Sequence, residues 1–435
     1  MKIAHLTPSS GDTFYCENCQ RDIALVNAMR KMEHEILLMP MYLPINADEK
    51  DLPTSSPIFF GGINVYLQQK LSIFQKTPRW LDKLFDNPKL LIWAGRKAGM
   101  TSAKDLAETT ISMLKGDHGK QVKELNRLVD WLALEENKPD IVTLSNVLLI
   151  GLAKPIKERL GVPVLCLLQD EDGFIDGLGS PYAKQSWDII TELAKEIDLF
   201  ISVSKYYSDV MKDRLSLEQE FLEVVRMGIS LDGYSHRDKL PDVPTIGYLS
   251  RACADRGLDT LVDAFIILKK NEKLKNAKLR ISGGARGDDA PFVESLKNRM
   301  RDAGVIDDVE FLPDFSKEAK YKFLHSLSVM CVPEKQPVAY GLYMLEALAS
   351  GVPVVEPAIG VFPEMIELTG GGVLYNENNA ESLAKAMEPL LLDPDYAHKL
   401  GKQGRESVIK TLDVEKNARE LITIYERIVK KKQGG

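Results

Sequence analysis

At 435 residues, 44% of them hydrophobic, the chain is longer than one hydrophobic core usually supports, so two domains are expected. A net charge of -7 argues against broad electrostatic binding to nucleic acid, because only the tail "IVKKKQGG" is locally basic. Five cysteines, odd in number and scattered, do not make a disulfide framework and suit a reducing cytoplasm.

The chain opens with "MKIAHLTPSSG", an apolar strand without the long apolar core of a secretory signal, and no stretch approaches a membrane span. Short apolar runs then alternate with helical patterns, which predicts an α/β protein with parallel sheets covered on both faces. In the first half the expected strands are "KIAHLT", "EILLMP", "DIVTLS", "PVLCLLQ", "LFISVS" and "LEVVRM", with helices such as "QRDIALVNAMRKM" and "SWDIITELAKEI" between them. The loop "PSSGDTFYCENCQRD" carries Cys16 and Cys19 ahead of a helix, where thiol pKa values fall. A single CxxC is weak evidence for zinc, which needs two more ligands, so loop packing is the preferred reading and no metal site is expected.

Residues 61–134 interrupt the alternation with helical patterns that hold Trp80, Trp93 and Trp131 among basic residues. One reading is a lid or membrane-facing acceptor platform, and the preferred one is amphipathic helices packed on the core. "GDHGKQ" sets His118 in a polar turn, where a site histidine and a surface histidine look alike. After "VLCLL" come Gln169, Asp170, Glu171 and Asp172, acids that either bind hydroxyls or cap the next helix.

The polar stretch "SLDGYSHRDKLPDVP" at 230–244 reads as a linker, after which the alternation restarts with "TIGYLS", "AKLRISG", "DVEFLP", "SVMCVP", "PVVEP" and "GGVLY". The expected organisation is therefore two Rossmann-like units facing each other across a cleft, with ligands at the carboxyl ends of their strands. Domain 1 is set at 1–235 with the insertion and a closing helix at about 415–435, and domain 2 at 240–414.

Three motifs in the second half carry chemistry. "GYLSRACADRGLDTLVDAF" places Ser250, Arg251 and Arg256 between a strand end and a helix mouth, where two guanidiniums and free amides suit a pyrophosphate. "RISGGARGDD" brings Gly283 and Gly284 to the next strand end, where backbone can pass close to a ligand. In "PVAYGLYMLEALASGVPVV", Tyr340, Gly341, Leu342 and Tyr343 open a helix that buries one acid, Glu346, among apolar neighbours. Such a carboxylate requires a partner: either the vicinal hydroxyls of a ribose or nearby backbone.

These motifs, in this order, resemble the family 4 retaining glycosyltransferases of GT-B fold. "SRACADRG" is similar to that family's Gly-Arg-x4-Lys-Gly phosphate motif, "GLYMLEALASGVPVV" to the second half of its Glu-x7-Glu motif, and "GVFPEMIE" and "GGVLYNENNAESLAKAM" to its closing segments. The resemblance covers nearly the whole chain, strongly after residue 240 and diffusely before it. It implies a UDP- or GDP-sugar donor held by the C-terminal domain, with Arg251 and Arg256 on the diphosphate, Glu346 on the ribose, and Gly11, Ser250, Gly283, Gly284, Pro313 and Tyr340–Tyr343 around the donor. It implies a glycan, lipid or small-molecule acceptor on the N-terminal side near Gln169, Asp170, Glu171 and His118, no tightly bound cofactor or metal, and a cytoplasmic enzyme, with contact to the inner membrane face kept open.

Two departures stand out. The family's first acid, eight residues before Glu346, is Val338 here, and the family's frequent histidine after "VLCLL" is Gln169, which cannot act as a base. Two alternatives to a transferase follow: a sugar-nucleotide or glycan-binding protein on a decayed enzyme fold, and a sugar-nucleotide epimerase, disfavoured by the scarcity of histidines in the expected cleft.

Overall fold

The computed structural model describes residues 1–8, 17–41, 60, 103–235, 241–285, 287–314 and 316–434. Gly11, Cys16, Trp80 and Trp93 lie outside the described residues. The chain divides into two compact units, the first made of Met1–Asp12, Asn18–Arg226 and Asn417–Gly435, the second of Thr13–Glu17 and Met227–Lys416.

In the first unit six strands form one parallel sheet: β1 (Lys2–Thr7), β2 (Glu35–Pro40), β3 (Ile141–Leu144), β4 (Val164–Leu168), β5 (Leu199–Ser202) and β6 (Leu222–Val224). Their order is β2-β1-β3-β4-β5-β6. The central runs IVTL and VLCLL are buried throughout, as expected of strands covered on both faces. The described part of the insertion includes the helices Ala103–Leu114 and Val122–Leu132, and the latter buries Leu125, Leu128, Val129 and Leu132. That spacing is the apolar stripe of a helix packed on a core. The C-terminal helix Val414–Gln433 returns to this sheet, where Thr143 Oγ1 of β3 donates to the Tyr425 hydroxyl at 2.9 Å.

In the second unit the strands are β7 (Thr245–Leu249), β8 (Lys278–Ser282), β9 (Val309–Leu312), β10 (Val329–Met330), β11 (Val354–Pro357) and β12 (Gly372–Tyr375). Their order, β12-β11-β10-β7-β8-β9, is the doubly wound order, with the reversal between β7 and β10. Both loops leaving that reversal point carry residues singled out in the sequence. β10 has only two residues in the ladder, but Ser328 and Cys331 extend its bonding to Thr245 and Gly247. The stretch expected as a linker is not solvated throughout: Tyr234 is 9% exposed and packs within the second unit. Among the described residues no helix is long and apolar enough to cross a membrane.

Candidate functional site

The carboxyl ends of β7, β8 and β10 converge on one small region. Gly283 has φ 113°, and a Cβ there would lie 2.3 Å from the carbonyl oxygen of Ser250, so the glycine lets the two strand ends close up. The Ala252 amide donates to Gly284 O at 2.8 Å, completing the join. Gly257, which caps the helix Leu258–Leu268, has φ 66°, and a Cβ there would meet the Pro333 carbonyl oxygen at 1.8 Å. The loop Ser250–Gly257 is thus pressed between the ends of β8 and β10. Tyr248, fully buried, donates its hydroxyl proton to Arg251 O at 2.8 Å and pins the same loop from below. Pro313 follows β9, the outer strand of this half-sheet.

Both arginines of the motif have carboxylate partners. Arg251 makes a fork with Asp289, Nε to Oδ2 at 2.9 Å and Nη2 to Oδ1 at 3.0 Å. Burial opposes its charge, but the Asp289 bonds outweigh it and hold the guanidinium above its usual pKa. Arg256 Nη1 donates to Glu334 Oε1 at 2.6 Å. Glu334 follows β10, and burial pushes its pKa up to about 7 against the lowering effect of Arg256. Glu334, four residues before Val338, is an acid that the sequence offers as a stand-in for the missing one. Motif spacing reveals neither its pairing with Arg256 nor that of Asp289 with Arg251, because the partners lie 78 and 38 residues apart.

The helix Leu342–Ala349 is buried on every side, with Gly341 as its N-cap. Its Leu342 amide donates to the Glu17 carboxylate at 2.9 Å, both residues belonging to the second unit, so this terminus receives an acidic oxygen. Tyr340 and Tyr343 are buried beside it, and Tyr343 donates to Glu356 Oε2 at 3.1 Å. Glu356, at the end of β11, is fully buried, and burial holds its pKa well above the usual carboxylate range. Val338 is buried in the preceding loop, where its carbonyl accepts from the Val361 amide at 3.0 Å.

Glu346 has buried side-chain partners from two other segments of the second unit. Its Oε1 accepts from the Tyr234 hydroxyl at 2.6 Å and from the Lys320 ammonium, and all three groups are buried. Burial and the Glu346 charge together raise the Tyr234 pKa well above its usual value, so this hydroxyl remains a donor. The Tyr321 ring stands edge-on to Tyr234 at 4.8 Å.

In the first unit, Gln169 is buried, and its side-chain amide donates to Asp22 Oδ1 at 3.4 Å. Asp22 also accepts from Thr7 Oγ1 at 2.7 Å, and His5 Nε2 lies 3.7 Å from it. Asp170 sits at the N-cap of the helix Glu171–Gly177 with φ 78°, yet its side chain makes no capping bond. Glu171 instead ties three elements together, accepting from the amides of Val147 and Gln169 at 2.9 and 2.7 Å and from the Tyr207 hydroxyl at 2.9 Å. Burial raises its pKa in spite of those bonds. His118 stands on a short turn with its side chain 84% exposed, unlike the buried Gln169 and Glu171. Cys19 is one of four free cysteines among the described residues.

Two parallel doubly wound sheets with helices around them define the GT-B class of fold. Solved structures of that shape include a sucrose-phosphate synthase from Thermosynechococcus elongatus, with TM-score 0.72, 16% identity and 98% of each chain covered. They also include HepE from Anabaena in complex with UDP, with TM-score 0.68, 14% identity, and 98% of this chain and 100% of that one covered. Residues 236–407 match the model of the family described as Glycosyl transferases group 1. A curated relative is the GDP-mannose-dependent alpha-(1-6)-phosphatidylinositol monomannoside mannosyltransferase of Mycobacterium tuberculosis, 32% identical over 179 residues, which are 40% of this chain and 44% of that protein. Another is the D-inositol 3-phosphate glycosyltransferase of Mycobacteroides abscessus, 25% identical over 210 residues, 46% of each chain. The chain thus spans less than half the length of these relatives.

Proposed function

We propose that the protein is a glycosyltransferase that moves a sugar from a UDP- or GDP-linked donor to an acceptor hydroxyl, with retention of configuration. The observation that carries the reading is that the two loops leaving the strand-order reversal of the second sheet carry Arg251 and Arg256 after β7 and lead to the Leu342 helix terminus after β10. Departure of a nucleoside diphosphate leaves negative charge on its terminal phosphate. Fixed guanidiniums and helix amides stabilise that charge where it develops. Gly257 and Gly283 let the loop that carries the two arginines pack directly against the neighbouring strand ends. Under this reading Lys320 and Tyr234 orient the Glu346 carboxylate toward the ribose of the donor. The named relatives act on a GDP-mannose donor or on an inositol phosphate, which supports a polar, hydroxyl-bearing acceptor here. The retaining outcome rests on the motif resemblance.

Calorimetry with UDP and GDP tests the donor site. Arg251→Ala and Arg256→Ala each remove a charge-assisted contact worth about 1.5 to 3 kcal/mol, so affinity falls by roughly ten- to over a hundredfold. Unchanged affinity in both variants removes the assignment. A second reading, a sugar-nucleotide-binding protein without transfer, is favoured by Val338, an apolar residue where the resembling family carries an acid. Incubation with a panel of nucleotide sugars, deoxy sugars included, with and without an acceptor extract, separates the two. Binding without turnover across the panel establishes the second reading.

A further inference from the structure

The Arg256–Glu334 pair spans the reversal point itself, since Arg256 ends the loop after β7 and Glu334 follows β10. Its two members differ in access to water: the Arg256 side chain is 35% exposed, Glu334 only 3%. The Arg256 side chain is therefore partly open to solvent while the carboxylate that bonds it is buried. Resting on the donor-site reading above, we propose that Glu334 is a positioning residue for Arg256, aiming the guanidinium while the site is empty and yielding it to the donor diphosphate by taking up a proton from solvent.

The physical argument is one of competition. A carboxylate and a diphosphate both draw on the same guanidinium, and their like charges repel at close range in a poorly solvated site. The repulsion is relieved when the carboxylate becomes a neutral acid.

The surroundings single out Glu334 as the group that changes. Facing it are Arg256 and Asp255 from the loop after β7, Tyr248 from β7, Cys331 after β10, Tyr343 from the buried helix, Glu356 from β11, Tyr375 from β12, and Glu17. The Cys331 thiol and the tyrosines are raised mainly by burial and stay neutral, and burial raises the Glu356 carboxyl well above its usual range. The neighbouring Lys335 ammonium is committed to Asp259 at 2.7 Å. Glu334 is poised near neutrality, at about 7, with Arg256 as its favourable partner. A bound diphosphate raises that value further. The protonated Glu334 then still accepts from Arg256 through its carbonyl oxygen, so the guanidinium keeps its aim.

The test is calorimetric titration of UDP and of GDP near pH 8 in Tris and in Hepes, whose ionisation enthalpies differ. At this pH the nucleotide's terminal phosphate, with a second pKa of about 6, is already ionised. The wild-type protein is expected to take up most of one proton per nucleotide. Its affinity is expected to fall by up to about tenfold per pH unit above neutrality, the slope of one fully coupled proton. Glu334→Gln is expected to bind without proton uptake and with a flat pH profile. Binding by the wild type with no proton exchange, or equal exchange in the variant, overturns the inference while leaving the donor site standing. If the variant fails to fold, the wild-type slope decides alone. Absence of binding by either nucleotide overturns the donor-site reading and this inference with it.

Discussion

Glu346 shows what a single buried carboxylate demands. Its apolar flanks already signal in the sequence that a partner is needed, but Lys320 and Tyr234 lie 26 and 112 residues away, and no local pattern connects them. Removing one member of a buried ion pair strands the other charge, which costs about 3 to 5 kcal/mol. Glu346→Gln is therefore expected to lower stability by about that amount in urea unfolding, although its amide oxygen still accepts from Tyr234. Adding Lys320→Met removes the stranded ammonium and is expected to restore much of the loss. A single variant with wild-type stability contradicts the pairing. The carboxylates of Asp289 and Glu334 teach the same lesson from the other side: an arginine motif is legible, but the anions that aim it are not.

Among the elements, the strands were the most legible. Apolar β-rich runs bounded by Gly, Pro and polar residues match twelve strands with differences of a few residues at their ends. β6 and β10 are shorter than their runs because ladder pairing ends before the apolar pattern does. What periodicity does not reveal is how closely two strand ends approach. Gly283 and Gly161 both have positive φ, but Gly283 faces the Ser250 carbonyl while Gly161 faces open space. Gly161→Ala is expected to cost about 1 kcal/mol, the ordinary strain of a left-handed alanine. Gly283→Ala adds a clash to the strain, and a loss of at least about 2 kcal/mol is expected, with weakened nucleotide binding. Thermal unfolding of the two variants checks the contrast, and equal losses refute it.

For the whole molecule, the donor-site reading confines ligand effects to one unit. A nucleotide at 100 times its dissociation constant stabilises the form that binds it by about 2.7 kcal/mol. Hydrogen exchange with saturating UDP or GDP is expected to show added protection at 250–257, 281–285 and 340–346. The Gln169–Glu171 segment of the first unit is expected to exchange as before. Protection centred on the first unit instead contradicts the placement.

The amino-acid sequence by itself determined the α/β class, the restart of the alternation near residue 245 and the loops that carry the glycines and arginines. These are readable because hydrophobic period and turn chemistry act over a few residues. The tertiary structure alone decided the strand orders and therefore which loops meet. Setting β10 beside β7 is what brings Glu334 to Arg256 and Pro333 over Gly257. Parallel neighbours are joined by long crossovers, so their pairing follows from packing across the whole unit, and no window of sequence contains it.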